Sequence, residues 1–128
     1  MEKDNYCWRD KLILVVEDDE ISYRLIEGIL FNTEAKIIWA KDGKEAVDLC
    51  KVNRNIDIVL MDIKLPVLNG YVATEQIKQI REELPVIAQT AYTVDVQKDI
   101  IMNSGCNDYI AKPYTPENML NIISKYIN

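Results

Sequence analysis

Four acidic residues in a row, Glu17, Asp18, Asp19 and Glu20, follow directly on the apolar run Leu12–Val16, the first three at its very end. A further carboxylate, Asp62, ends the apolar run Ile58–Met61. Two more apolar runs lead into groups able to do chemistry: Val86–Ala88 into Gln89-Thr90-Ala91, and Tyr109–Ala111 into Lys112-Pro113. Brought together, these run ends would gather carboxylates, a hydroxyl and an ammonium. Glu17, Asp18 and Asp62 would then hold three negative charges in a small space, which costs several kcal/mol unless a cation offsets them. Lys112 can offset one charge, and a divalent cation the rest. Carboxylate and carbonyl oxygens are hard ligands, so Mg²⁺, Mn²⁺ or Ca²⁺ is the expected class. With only two or three protein ligands such an ion keeps waters, which suits Mg²⁺ and leaves room for a phosphoryl oxygen. Taken singly, each residue has a plainer explanation. Asp19 fits a helix N-cap, a loop Thr is usually a turn residue, and a lone Lys-Pro usually does nothing. Their conjunction at strand ends is what carries the reading.

That conjunction requires a particular scaffold. Short Ile/Val-rich runs at Leu12–Val16, Ile37–Trp39, Ile58–Met61, Val86–Ala88 and Tyr109–Ala111 alternate with helix-length segments. The first and third runs are apolar at successive positions, the mark of strands buried on both faces of a parallel sheet. The intervening stripes recur at helical spacing: Ile21, Leu25, Gly28 and Ile29; Ala73, Ile77 and Ile80; Leu120, Ile123 and Ile127. Asp42 with Glu45 resembles a capping box, and Thr115-Pro116 reads as N-cap then first helical residue. Asn69-Gly70 and Ser104-Gly105 mark turns. The expectation is an α/β fold, (βα)5 and doubly wound, with a five-stranded parallel sheet in the flavodoxin-like order 2-1-3-4-5. In that topology the site lies at the carboxyl ends of the strands.

The 128 residues suit one domain. Residues 1–10, polar apart from Tyr6, Cys7 and Trp8, read as a tail or linker with Trp8 docking on the domain, and 11–128 as the folded unit. Hydrophobic residues at 48% and charged residues at 28% fit a soluble globular chain and argue against disorder. No apolar run approaches the ~20 residues of a membrane span, and no signal peptide is readable. Fifteen basic against twenty-one acidic residues give a net charge of −6, with no general attraction to nucleic acid or anionic lipid. Histidine is absent, and Cys7, Cys50 and Cys106 show no metal-type spacing. Zinc fingers, histidine acid–base catalysis and histidine triads are thereby excluded, and a reduced, cytoplasmic setting is the simplest reading.

The chain resembles a response-regulator receiver domain over essentially all of Lys11–Asn128. Four elements carry the resemblance: Ile13-Leu14-Val15-Val16-Glu17-Asp18-Asp19-Glu20, Asp62-Ile63-Lys64-Leu65-Pro66-Val67-Leu68-Asn69-Gly70, Pro85-Val86-Ile87-Ala88-Gln89-Thr90-Ala91, and Gly105-Cys106-Asn107-Asp108-Tyr109-Ile110-Ala111-Lys112-Pro113. The resemblance implies a phosphoacceptor switch of a two-component phosphorelay. Asp62 would take a phosphoryl group from the phosphohistidine of a histidine kinase or phosphotransfer protein. Glu17, Asp18, Asp62 and the Lys64 backbone carbonyl would hold Mg²⁺, with Mn²⁺ as a substitute. Lys112, Thr90 and Ala91 would bind the phosphoryl group, with Tyr109 changing rotamer in concert with Thr90. The Lys112–Pro113 bond would be cis. Phosphoryl transfer needs positioning and charge neutralisation more than covalent help, so these roles are physically coherent.

The departures are small: Glu17 stands where Asp is commoner, and Leu65 where Met is frequent. Lys64 and Tyr92 would border the water that hydrolyses the acyl phosphate, and a bulky Tyr92 favours a longer-lived phosphorylated state. Three alternatives use related chemistry: a haloacid-dehalogenase-like phosphatase, a flavodoxin-like cofactor binder, and a pseudo-receiver acting only as an interaction module. The first wants its nucleophile at the end of the first strand, the second a phosphate-cradling loop where Glu17-Asp18-Asp19 stands, and the third lacks one of Asp62, Thr90 or Lys112. The resemblance therefore favours a signalling phosphoacceptor with self-catalysed transfer and autodephosphorylation over an enzyme. The lead-in with Trp8 and the Glu17-Asp18 pair resemble the receiver of a hybrid histidine kinase. No DNA-binding domain is expected after the last helix. Apolar residues Met119, Leu120, Ile122, Ile123, Tyr126 and Ile127 exceed one stripe, so part of that helix is expected to be exposed. Phosphorylation-dependent association through the face of the fourth helix, fifth strand and fifth helix is expected, with a partner protein or as a homodimer.

Overall fold

In the computed structural model, residues 6–65, 68–90 and 100–127 are described. Five parallel strands form one sheet: β1 (Leu12–Val16), β2 (Lys36–Ala40), β3 (Ile58–Asp62), β4 (Val86–Thr90) and β5 (Asp108–Ala111). Their order is β2-β1-β3-β4-β5, the doubly wound arrangement that the alternating runs require. Val16 lies between Ala40 of β2 and Met61 of β3, so the central strands end side by side. The helices are α1 (Glu20–Leu30), α2 (Gly43–Val52), α3 (Gly70–Ile80), a helical segment at 100–103 (α4) and α5 (Pro116–Ile127). Among the described residues no helix is long and apolar enough to cross a membrane.

Successive side chains of a strand point to opposite faces, and the core divides accordingly. Leu14, Val16, Val59, Met61, Val86 and Ala88 pack with Ala46, Val47 and Cys50 of α2 and Ala73 and Ile77 of α3. Ile13, Val15, Ile58, Leu60 and Ile87 pack on the other face with Tyr23, Ile26 and Leu30 of α1 and Met119, Ile123 and Ile127 of α5. The strands β3 and β4 are buried at every position, which explains the apolar runs Ile58–Met61 and Val86–Ala88 that precede their polar ends.

Two helix faces differ from the sequence expectation. In α1 the core stripe is Tyr23, Ile26 and Leu30, whereas Ile21 is 80% and Leu25 54% exposed. Apolar residues occupy two phases of this helix, and periodicity alone cannot choose which phase meets the sheet. In α5 the buried stripe is Met119, Ile123 and Ile127, while Leu120, Ile122 and Tyr126 are half-buried flanks of the same core. The expected exposed apolar surplus on α5 is therefore absent. Tyr126 is held by hydrogen bonds from its hydroxyl to the Asn107 carbonyl and Asp108 Oδ2, both 3.1 Å.

Local signals act where the sequence put them. Asp42 caps α2 by accepting from the Glu45 amide, and Glu45 reaches back to the Lys41 amide. The Thr115 hydroxyl accepts from the Asn118 amide at the start of α5. Asn69 is the N-cap of α3, accepting from the Val72 amide. Gly105 adopts φ +105°, a backbone that favours glycine. Trp8 is fully enclosed on the α1–α5 side, its amide donating to the Thr33 carbonyl at 2.7 Å. Tyr6 stacks on Trp8 and its hydroxyl donates to Asn121 of α5.

Candidate functional site

The carboxyl ends of β1, β3 and β5 bring their polar residues to one point. Each of Glu17, Asp18 and Asp62 offers an oxygen, and these oxygens lie within 4.8 Å of one another. Glu17 and Asp62 are buried and Asp18 is exposed, so the cluster opens to solvent on one side. Lys112 Nζ lies 3.5 Å from Glu17 Oε1 and 3.9 Å from Asp62 Oδ2. Three converging carboxylates with hard oxygen donors and one ammonium fit a divalent cation that retains water.

The electrostatics follow from this crowding. Burial foremost, then the Asp62 charge and a hydrogen bond shared with Asp62, push the Glu17 carboxyl up to about 7, against the pull of Lys112. Without a cation, Glu17 thus sits near the point of protonation at neutral pH. A divalent ion would take over the compensating role of that proton.

The surrounding elements fix each group. The Glu17 amide donates to the Ala40 carbonyl at 3.0 Å, continuing the β1–β2 ladder by one residue. Asp19 is not part of the acidic cluster; its side chain caps α1, accepting from the Ser22 amide and hydroxyl. Asp62 Oδ1 accepts from the Lys64 amide at 3.1 Å, which orients the carboxylate. Lys64 is exposed. Thr90 is buried at the end of β4, one residue beyond Gln89, the register partner of Asp62. The Lys112 amide donates to the Thr90 carbonyl at 2.7 Å, so Lys112 leaves β5 beside Thr90. Tyr109 is half-buried against the α2–α3 side of the core. The Lys112–Pro113 peptide is cis. Ala91 and Tyr92, and Pro66 with Val67, lie outside the described residues.

Three features were not read from the sequence. Gly70 begins α3 against the backbone of β3: a Cβ there would collide with the Asp62 carbonyl oxygen and meet Ile63 Cα at 2.8 Å. The Asn69-Gly70 dipeptide signalled a turn but not this close approach. Tyr114 donates to Gln89 Oε1 at 3.2 Å, and burial, with the charges of Glu17 and Asp62, pushes its hydroxyl up to about 12. The indole of Trp39 donates to the Glu17 carbonyl at 2.8 Å. For Trp39 a polar-tipped aromatic near the end of a strand was the available signal; Tyr114 lies in the loop between β5 and α5, where no strand run marks it.

Comparisons with known proteins match most of the chain. The family described as response regulator receiver domain matches residues 13–124. The chain is 35% identical over 123 residues to hybrid signal transduction histidine kinase I of Dictyostelium discoideum, covering 90% of this chain and 7% of that protein. It is 33% identical over 119 residues to the polar-differentiation response regulator DivK of Brucella anthropi, covering 91% and 96% respectively. The receiver domain of sensor histidine kinase PA1611 from Pseudomonas aeruginosa superposes with a TM-score of 0.85 at 34% identity, over 91% of this chain and 97% of that one. That structure holds a magnesium ion coordinated in its active site cleft. The receiver domain of Ssk1, crystallised with the histidine phosphotransfer protein Ypd1 of Saccharomyces cerevisiae, gives 0.86 at 28% identity, over 92% and 89%.

Proposed function

This chain belongs to the response regulator receiver domain family, and from that premise we propose that Asp62 is its phosphoacceptor. The reading is that a phosphohistidine of a histidine kinase or phosphotransfer protein is the donor. The nitrogen–phosphorus bond breaks, an Asp62 carboxylate oxygen forms the new bond to phosphorus, and the imidazole leaves with its electron pair. Glu17, Asp18, Asp62 and the Lys64 carbonyl hold Mg²⁺, which when bound neutralises charge on the phosphoryl oxygens. Lys112 supplies a second cation to those oxygens. The Thr90 hydroxyl and the Ala91 backbone bind the product, and Tyr109 follows Thr90. Hydrolysis of the acyl phosphate is then self-catalysed, with Lys64 and Tyr92 beside the attacking water.

The observation that carries this reading is the convergence of Glu17, Asp18 and Asp62 oxygens within 4.8 Å beside Lys112. A domain of this class works as a switch rather than as a turnover enzyme. We assign residues 11–128 to the switching unit and 1–10 to a lead-in, place the chain in the cytoplasm, and give it neither a nucleic acid nor a membrane partner. Self-association after phosphorylation would use the α4–β5–α5 face. Among the described residues, its exposed large apolar side chains are Ile100 and Met102 of α4, not those of α5.

Incubation with Mg²⁺ and a small acyl- or amido-phosphate donor tests the assignment. One phosphoryl group is expected by intact mass, and none on a folded Asp62→Asn variant. Undiminished labelling of that variant would refute Asp62 as the acceptor. Light scattering with and without a phosphoryl mimic tests self-association, and an unchanged mass removes the dimer from the proposal.

A further inference from the structure

Trp39 occupies the penultimate position of β2, an outer strand, with its ring on the α1 side of the sheet. It touches the acidic turn at both ends. At one end its Nε1–H donates to the Glu17 carbonyl at 2.8 Å. At the other its ring stacks on Tyr23, in the first turns of α1, with centroids 4.0 Å apart and planes inclined by 2°. Between these two anchors lie Asp18 and the capping residue Asp19. Lys41 Nζ stands 4.9 Å from the Trp39 ring centre, and the Arg24 guanidinium 5.5 Å from that of Tyr23 and 5.9 Å from that of Trp39. Cations at such distances from aromatic rings add to the attraction.

The position of the hydrogen bond matters. The Glu17 carbonyl belongs to the planar peptide unit that joins Glu17 to Asp18. Holding that plane restrains the backbone from which both carboxylates leave. The Glu17 amide is tied to Ala40 on the same strand as Trp39, so β2 holds Glu17 on both sides. Mutual repulsion of Glu17, Asp18 and Asp62 favours a splayed turn, and a clamp across the turn opposes that relaxation. An ion then meets ligands already converged, without the cost of ordering them.

We propose that Trp39 is a positioning residue for the metal site: its indole N–H and its stack on Tyr23 hold the Glu17–Asp19 turn in the ion-binding geometry. The inference rests on the reading of Glu17 and Asp18 as ligands. Because the indole is bonded to the ligand residue itself, its N–H resonance reports occupancy of the site.

The test is Mg²⁺ titration of the intact chain, followed by calorimetry and by the two indole N–H signals in nitrogen-correlated NMR. Trp39 is expected to shift on Mg²⁺ addition while Trp8, enclosed between α1 and α5, stays in place. Trp39→Phe keeps a ring for the stack but loses the donor, and is expected to bind Mg²⁺ about three- to thirtyfold more weakly with its fold intact. Tyr23→Leu, which removes the stack and keeps the donor, should weaken binding in the same direction. A Trp39 resonance unmoved at saturating Mg²⁺ in the unmutated chain overturns the proposal even if a variant fails to fold. Wild-type affinity in a folded Trp39→Phe overturns it as well. Asp18→Asn separates the two layers of argument. Unchanged binding in that variant overturns the metal-site reading and this inference with it. Lost binding there, beside unchanged binding in Trp39→Phe, overturns the clamp alone.

Discussion

Replacing Glu17 by Gln is expected to stabilise the metal-free protein while weakening its metal site. Glu17 is 1% exposed, and its surroundings raise the carboxyl from 4.5 to about 7. The folded chain therefore holds this proton more tightly than the unfolded chain. The contribution to stability is complete below about pH 4.5 and is lost as pH rises through about 7. Each pH unit across that window costs ~1.4 kcal/mol, so ionised Glu17 burdens the metal-free fold by about 3 kcal/mol near pH 8. Gln keeps the shape, accepts from Lys112 and can donate to Asp62. The variant loses the Lys112–Glu17 ion pair at 3.5 Å but keeps Lys112 at 3.9 Å from Asp62. A net gain of about 1–3 kcal/mol near pH 8 remains, or roughly 3–10 °C in Tm. Urea unfolding in chelator measures it, and the gain should shrink below about 1 kcal/mol near pH 5. Saturating Mg²⁺ at a hundred times its Kd returns ~2.7 kcal/mol to the wild type and much less to the variant. A variant less stable than wild type near pH 8 in chelator, or an advantage independent of pH, would refute the reasoning.

Lys112→Met removes the ammonium that stands 3.5 Å from Glu17 and 3.9 Å from Asp62; it should slow phosphoryl incorporation from a small donor by about 100-fold, read as labelling rate by intact mass. Gly70→Ala places a methyl against the β3 backbone at Asp62 and Ile63, and should cost about 1–3 kcal/mol in urea unfolding. Trp8→Ala empties an enclosed site between α1 and α5. It should cost about 3–5 kcal/mol, whereas a loss below about 1 kcal/mol would show the lead-in to be independent of the domain.

The acidic cluster was legible in the sequence because strand ends are marked locally. An Ile/Val run that stops at Glu17 or Asp62 declares both the strand and the group at its carboxyl end, and parallel topology then forces those ends together. Helix caps at Asp42 and Thr115 were legible for the same reason, since a cap bonds within its own first turn. Helix orientation was not: α1 carries apolar residues in two phases, and only contact with the sheet selected Tyr23, Ile26 and Leu30 over Ile21 and Leu25. The half-burial of Leu120, Ile122 and Tyr126 likewise depended on neighbours remote in sequence. The rise of the Glu17 carboxyl to about 7, the Trp39 bond to its carbonyl and the Gly70 contact with Asp62 all join segments that the chain order keeps apart. Short-range hydrogen bonding and hydrophobic periodicity are written along the chain. Desolvation, charge coupling and backbone approach are sums over three-dimensional neighbours, and only the folded arrangement of the strands supplies them.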